Sequence, residues 1–252
     1  MMLSKSDLIL PDWPAPSNVH AMQTTRMGGF SERPYHRLNL GDHVGDDSLI
    51  VAANRQLLTP FVPTEPVWMR QVHGTSVVDI ASASCLPEAD AAFTSASATV
   101  CCVMTADCLP LLLCDRAGSV VAAVHAGWRG LLKGVIESTI AVMQVAPKEL
   151  MAWLGPAIGP KAFEVGDDVR TGFTQNDVNA RDAFVTLENG KWLADIYLLA
   201  RQRLQAVGVT QIHGGDFCTY TDATRFFSYR RDQRTGRMAT LIWLTKNNAA
   251  GG

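Results

Sequence analysis

The stretch 98–114 does most to limit what this chain can become: it is the most apolar part of the sequence, rich in β-branched residues and cysteine, yet it carries Asp107 and Pro110. It falls short of the roughly 20 apolar residues that a membrane-spanning helix requires. Its composition and length read as buried strand. Other short apolar runs bounded by turn residues read the same way: 67–72, 76–80, 119–125, 151–154, 210–213 and 238–244. Within the long stretch, 100–105 and 111–114 are the strand candidates.

Helical spacing appears in three places. Leu49, Ala53 and Leu57 fall at four-residue intervals, with Asp46 or Asp47 placed to cap the start. Leu131, Leu132, Val135, Ile136, Thr139, Ile140 and Met143 form the second set. The third runs over 196–207, with Asp195 as its N-cap and Gly208 just past its end. Strands outnumber helices and do not alternate with them steadily. The expected fold class is therefore α/β of the α+β type, a mixed and largely antiparallel β-core flanked by helices.

No repeat or charge block divides the 252 residues, and the Pro/Gly-rich connectors at 11–16, 59–66 and 155–160 are short. One catalytic domain over 1–252 is expected, with 1–18 as a nondescript lead-in. A 47% hydrophobic and 18% charged composition excludes wholesale disorder. The net charge of −2 offers no basic excess for nucleic acid or an anionic membrane. The apolar patch 8–10, followed by Pro11, Pro14 and Pro16, is shorter than the about 7–15 residues of a signal peptide core. Cysteines at 85, 101, 102, 108, 114 and 218 show no C-x-x-C and no secreted-scaffold spacing. Reduced thiols and a cytoplasmic location are the expectation.

Chemistry is expected where a core strand breaks its own rules. In Met104-Thr105-Ala106-Asp107-Cys108-Leu109-Pro110 an acid and a thiol interrupt a buried run. Burying that acid without a partner costs several kcal/mol, on the order of 2–7. In His125-Ala126-Gly127-Trp128-Arg129-Gly130 a histidine ends an apolar strand just before a helix start, whose free N–H groups suit an anion. His73 stands likewise at a strand end, before Gly74. Two imidazoles and a thiolate suit Zn²⁺ and leave a fourth position open. The long gaps between the three carry no motif information, and taken alone a buried cysteine or a core histidine accounts for each equally simply.

Other segments are weaker signals. Thr24-Thr25-Arg26-Met27-Gly28-Gly29 sets an arginine beside a glycine pair, and Asn39-Leu40-Gly41-Asp42-His43 is a polar loop leading into a helix. Phe226-Phe227-Ser228-Tyr229-Arg230-Arg231 ends in two arginines suited to bidentate anion recognition, although a surface edge strand has the same pattern.

Gln71-Val72-His73-Gly74, Thr105-Ala106-Asp107-Cys108-Leu109-Pro110, the 125–130 segment, Leu154-Gly155-Pro156-Ala157-Ile158-Gly159 and Phe227-Ser228-Tyr229-Arg230-Arg231 closely resemble the YfiH family. That family was formerly called laccase-domain or polyphenol oxidase proteins and is now read as purine nucleoside phosphorylases. The matches run in family order over about 26–237. The resemblance implies a fold similar to the catalytic domain of cytotoxic necrotizing factors, and a zinc ion on His73, Cys108 and His125. It implies phosphorolysis of adenosine, inosine and S-methyl-5′-thioadenosine, with adenosine deamination as an activity also assigned to the family. Its partners would be a purine nucleoside and inorganic phosphate, with no nucleic acid and no membrane; a homodimer is one assembly the chain leaves open.

On that reading Arg26 and Arg230 are the candidates for anion contact, with Arg129 behind them, and Asn39 and His43 for ribose or base. Asp107 is either an orienter or proton carrier beside Cys108 or a core hydrogen-bonding group. Deamination calls for a zinc-bound hydroxide, but the H-x-E…P-C-x-x-C signature of zinc nucleobase deaminases is absent. Copper is disfavoured: six histidines fall short of the roughly ten that a laccase-type set of centres needs, imidazole being the favoured copper ligand. The competing activity is a thiol hydrolase or amidase with Cys108 as nucleophile and His125 as its base. A closed structural zinc site is the non-enzymatic alternative.

Overall fold

The structure, a computed structural model, describes residues 3–83 and 86–246. Cys85, one of the six cysteines, lies outside the described residues. The strands are β1 (Leu8–Ile9), β2 (Val19–Thr24), β3 (Val77–Asp79), β4 (Ala91–Thr94), β5 (Val100–Thr105), β6 (Leu109–Asp115) and β7 (Val121–Ala126). They continue as β8 (Leu150–Leu154), β9 (Glu164–Val165), β10 (Phe184–Thr186), β11 (Trp192–Ala194), β12 (Gln211–Gly214) and β13 (Met238–Leu244). The helices are α1 (Ser48–Gln56), α2 (Trp128–Lys133), α3 (Val135–Met143), α4 (Asp167–Asn176), α5 (Ile196–Ala206) and α6 (Tyr229–Asp232).

Two sheets carry the fold. One has the order β1-β2-β13-β5 and is antiparallel throughout. The other, β12-β8-β6-β7-β4-β3, is antiparallel at its centre and parallel at both edges. A small antiparallel sheet, β10-β11-β9, stands apart from them in the hydrogen-bonding order. This is the mixed, largely antiparallel α/β architecture expected from the sequence.

The apolar run 98–114 is two strands belonging to two different sheets. Its side chains sort with period two, as strand geometry requires. Cys101 and Val103 from β5 meet Leu112 and Cys114 from β6 in a core between the sheets. Cys102 and Met104 turn the other way, to pack with Leu38, Leu40 and Leu58. Leu111 and Leu113 face the helical side, with Ile136 of α3 and Leu199 of α5. Every residue of β5, β6 and β7 is buried, which is why these segments read as unbroken hydrophobic runs rather than alternating ones. All five described cysteines are free thiols. Among the described residues no helix is long and apolar enough to cross a membrane.

Two helices begin where expected. Asp47 accepts the Leu49 N–H at 2.8 Å and Asp195 accepts that of Leu198 at 2.9 Å. The expected helix through 131–143 is broken at Gly134, whose φ of +97° ends α2 and begins α3. The strand expected over 67–72 is reduced to single bridges at Val67 and Arg70. Gln71 explains part of that difference, because its side-chain amide stands in for backbone: it donates to Met104 O at 2.8 Å and accepts from Met104 N at 2.7 Å. The edge-strand pattern at 226–231 resolves instead into α6, whose Ser228 cap accepts the Arg231 N–H at 3.2 Å.

Candidate metal centre

The link between β5 and β6 carries the chain from one sheet to the other, and Cys108 sits at its end. His125 lies on the neighbouring strand β7, where it pairs with Pro110 of β6. His73 occupies the turn after 67–72 with φ +59°, a left-handed conformation that aims its ring at the same spot. The ligand atoms of these three residues lie within 4.8 Å of one another. Cys108 Sγ is 3.7 Å from His73 Nε2, and the two imidazole rings meet edge-on with centroids 4.7 Å apart.

A residue that the sequence reading missed organises the cluster. Asp90, fully buried just before β4, accepts His125 Nδ1 at 2.8 Å. Its carboxylate also accepts the backbone N–H groups of Val72 at 3.2 Å, His73 at 2.9 Å and Gly74 at 2.6 Å. One carboxylate thus fixes both the turn that carries His73 and the ring of His125. An ionised carboxylate only accepts hydrogen bonds, so the proton sits on His125 Nδ1 and Nε2 is left to face Cys108. Burial alone pushes the Asp90 carboxyl upward; the hydrogen bonds from His125, Gly74 and Val72 outweigh it and hold the group below the usual range.

The electrostatics of the pair follow from this. Burial raises the Cys108 thiol, but His125 first and His73 after it bring it down to about 6. Burial likewise disfavours a charged His125, but Cys108 and Asp90 raise it to about 9. Without a metal, the centre therefore holds a thiolate and an imidazolium at neutral pH. Cys101, Cys102 and Cys114 show the contrast: burial lifts each above its ordinary value, and at Cys102 the charge of Arg55 only partly offsets it.

Glycines give the cluster its room. A Cβ at Gly127 would stand 3.0 Å from Cys108 Sγ, 3.0 Å from His73 Cδ2 and 3.5 Å from His125 Nε2. The missing side chain leaves a hollow beside all three donors. At Gly130 a Cβ would meet Gly74 O at 2.9 Å, so this glycine lets α2 close on the His73 turn. A soft thiolate and two imidazoles form a donor set that could hold a metal ion, of the kind zinc favours.

Asp107 has a different place from the one its neighbour suggests. It lies in the link between β5 and β6 with φ +91°, not inside a strand. Its Oδ1 accepts from Thr219 Oγ1 at 2.6 Å and its Oδ2 from the Arg230 backbone N–H at 2.6 Å. The carboxylate so ties the 217–220 loop and the first turn of α6 to the residue preceding Cys108. Of the two roles open to it, the hydrogen-bonding one accounts for both oxygens.

The arginines and the polar loop sort as follows. Arg26 donates to the carbonyls of His36, at 2.9 and 2.7 Å, and Ala223, at 3.0 Å, and stacks over Phe227. Arg230 donates to Glu164 O at 2.8 Å and Arg129 lies exposed over Trp128. Asn39 is fully buried, with its amide on Gly41, Asp46 and the Arg237 N–H, so it holds the loop that presents its neighbours. His43 faces a cleft of about 310 Å³ shared with Tyr229, Gln233, Arg234 and Arg237. Arg237 lines the cleft with its Nη1 donating to Thr235 O and Gly236 O, both at 3.0 Å; burial lowers its pKa, while the charges of Cys108, Asp107 and Tyr229 pull the other way. Neither Arg237 nor Tyr229 was singled out from the sequence. Asp90 carried a usable signal, an acid opening the apolar segment Ala91-Ala92-Phe93, the same irregularity that drew attention to Asp107.

Comparison with known proteins places the chain among relatives of the same length. A family model described as multi-copper polyphenol oxidoreductase laccase matches residues 20–245. The chain is 54% identical to a Pseudomonas aeruginosa protein named purine nucleoside phosphorylase, over 94% of this chain and 98% of that one. It is equally, 54%, identical to the Escherichia coli purine nucleoside phosphorylase YfiH, over 95% of this chain and 99% of the relative. Among solved structures, a Neisseria meningitidis protein superposes with a TM-score of 0.93 at 50% identity, covering 95% of this chain and 99% of that chain. YlmD from Geobacillus stearothermophilus superposes at 0.85 with 30% identity, over 92% and 94% of the two chains.

Proposed function

Because the chain belongs to the YfiH family, whose relatives here are named purine nucleoside phosphorylases, we propose that it cleaves purine nucleosides with inorganic phosphate at the His73–Cys108–His125 centre. The observation that carries the reading is the open donor set, held by buried Asp90 and hollowed at Gly127. His73, Cys108 and His125 would hold zinc. When bound, the metal supplies Lewis acidity toward an oxygen of the phosphate or the sugar.

In phosphorolysis a phosphate oxygen forms a bond to the anomeric carbon while the C–N bond to the base breaks and its electron pair leaves with the purine. The transition state places positive charge on the sugar next to an anionic nucleophile. Arg237 lines the cleft beside Tyr229 and His43, and it serves as the phosphate contact. Tyr229, exposed at the cleft wall, offers a ring for the purine to stack on, and His43 faces the ribose. Arg26 and Arg230 shape the surroundings through the carbonyls they hold, and Asn39 does so by fixing the His43 loop. Adenosine, inosine and S-methyl-5′-thioadenosine are the substrates this reading names, with adenosine deamination as a side activity. One protein preparation tests it: stoichiometric zinc with phosphate-dependent adenine release, both lost in Cys108→Ala. Metal-replete protein without that release excludes the reading.

A second reading has its own observation. Cys108, His125 and Asp90 stand in the order thiolate, imidazolium, carboxylate, which is the arrangement of a thiol hydrolase or amidase. Rapid alkylation of Cys108 in protein as isolated, with no bound metal, favours this second activity; stoichiometric zinc that shields the thiol excludes it. The copper oxidase named in the family description finds little support, because among the described residues only this one cluster brings three such donors together.

A further inference from the structure

A second cleft, of about 740 Å³, is lined by Arg26, Arg33, Arg37, Arg231 and Arg234, together with His36. Its one carboxylate, Asp232, is taken at both oxygens by Arg231, at 3.0 and 2.8 Å. None of the metal-centre residues lines it. In a protein whose net charge is −2, five guanidinium groups against one carboxylate mark a local concentration of positive charge. Its field registers on His36, whose protonation is disfavoured by burial and then by Arg37, Arg26 and Arg33. Like charges held this close repel, and a multiply charged anion relieves the repulsion.

The shape narrows the ligand. The volume exceeds what a free phosphate ion fills and lies in the range of small-molecule sites. Met27, Pro34 and Ala223 add apolar lining beside the guanidinium groups, a mixture suited to a phosphate group carried on an organic body. We propose that this cleft binds a phosphate ester of nucleotide size, at a site separate from the metal-side cleft.

Two hydrogen-bonded routes join the clefts. Arg231 Nη1 donates to Thr219 O at 2.7 Å, and Thr219 Oγ1 donates to Asp107, the residue before Cys108, at 2.6 Å. Arg234 lines both clefts; its Nε donates to Tyr35 Oη at 2.7 Å, and Tyr35 Oη to Val44 O beside His43 at 2.8 Å. An ester that tightens on Arg231 and Arg234 therefore bears on Asp107, beside Cys108, and on the loop that carries His43.

The test is calorimetric titration of the full chain with AMP and, separately, with inorganic phosphate, which does not depend on any catalytic activity. Arg33 is exposed, so Arg33→Glu and Arg33→Gln alter the cleft's charge with little risk to folding. AMP is expected to bind at the arginine cleft at least tenfold more weakly in Arg33→Glu, less so in Arg33→Gln, and with unchanged affinity there in Tyr229→Ala, which weakens only binding at the purine cleft. Binding that ignores both Arg33 variants, or that is lost in Tyr229→Ala, overturns the separate site. Inorganic phosphate binding as tightly as AMP, or a single-stranded oligonucleotide binding far more tightly, overturns the assignment to a nucleotide-sized ester.

Discussion

The buried carboxylate of Asp90 holds His125 Nδ1 at 2.8 Å and, through the His73 backbone N–H at 2.9 Å, also anchors the other histidine of the centre. Two histidines that are far apart in sequence thus share one positioning group. Asp90→Asn keeps the shape but removes the charge that favours the Nδ1–H form. Outer partners of metal-bound histidines typically account for a 10–100-fold change in affinity, and a loss of about that size is expected here. Competition with a chelator measures it. Asp90→Ala leaves His125 and three N–H groups without an acceptor and should unfold at lower denaturant, by about 3–5 kcal/mol.

The Cys108–His125 pair predicts a pH dependence whose sign is fixed by the two shifts. Cys108 is lowered to about 6, so its contribution to stability is full above its ordinary 9.0 and disappears as pH falls through 6. His125 is raised to about 9, so its contribution is full below its ordinary 6.5 and disappears as pH rises through 9. Between about pH 7 and 8 the folded pair and the unfolded pair each carry one proton, and the two slopes cancel. Metal-free protein should thus show nearly flat stability there, while its alkylation rate at Cys108 is half-maximal near pH 6. Half-maximal alkylation near 9.0, the thiol's ordinary value, contradicts the ion pair.

Gly127→Ala tests the hollow. The backbone there has φ −61°, which any residue adopts, so the only consequence is the methyl group pressed against Cys108, His73 and His125. Folding stability of the metal-free protein should fall by about 1–3 kcal/mol, the usual cost of pressing an extra methyl into a packed site. Bound metal per chain should fall well below one by elemental analysis. Full occupancy in this variant contradicts the placement of the metal beside Gly127.

Tyr229→Ala separates binding from chemistry. Base–aromatic stacking contributes about 1–3 kcal/mol, so KM for the nucleoside should rise roughly 5- to 150-fold with kcat changed less. Arg237→Gln should instead raise KM for phosphate. Equal effects of both variants on both substrates contradict the division of the cleft between base and anion.

Much of this was legible in the sequence, and the limits have physical causes. Strands β5 and β13 coincide with their apolar runs because both faces are buried and no alternation obscures their ends. Strand β4 was not recognised because Ala91 and Ala92 pack tightly while carrying little hydrophobic signal. The helix through 131–143 broke because Gly134 costs little in the left-handed region, an option periodicity does not weigh. His73 and His125 were nameable from their strand-end positions, Cys108 from its interruption of a buried run, and all three from the family resemblance. Asp90 and Arg237 were not, since each earns its role through partners brought together only by folding: Asp90 lies 35 positions from His125, and Asn39 meets the Arg237 N–H across 198.

The central claim is tested most directly by incubating zinc-loaded protein with adenosine and ¹⁸O-labelled phosphate and analysing the sugar product by mass spectrometry. The account predicts adenine together with ribose 1-phosphate that carries the label in the oxygen bonded to the anomeric carbon, and neither product with Cys108→Ala. Free ribose formed at a rate independent of phosphate, or no base release from protein with one zinc per chain, contradicts it.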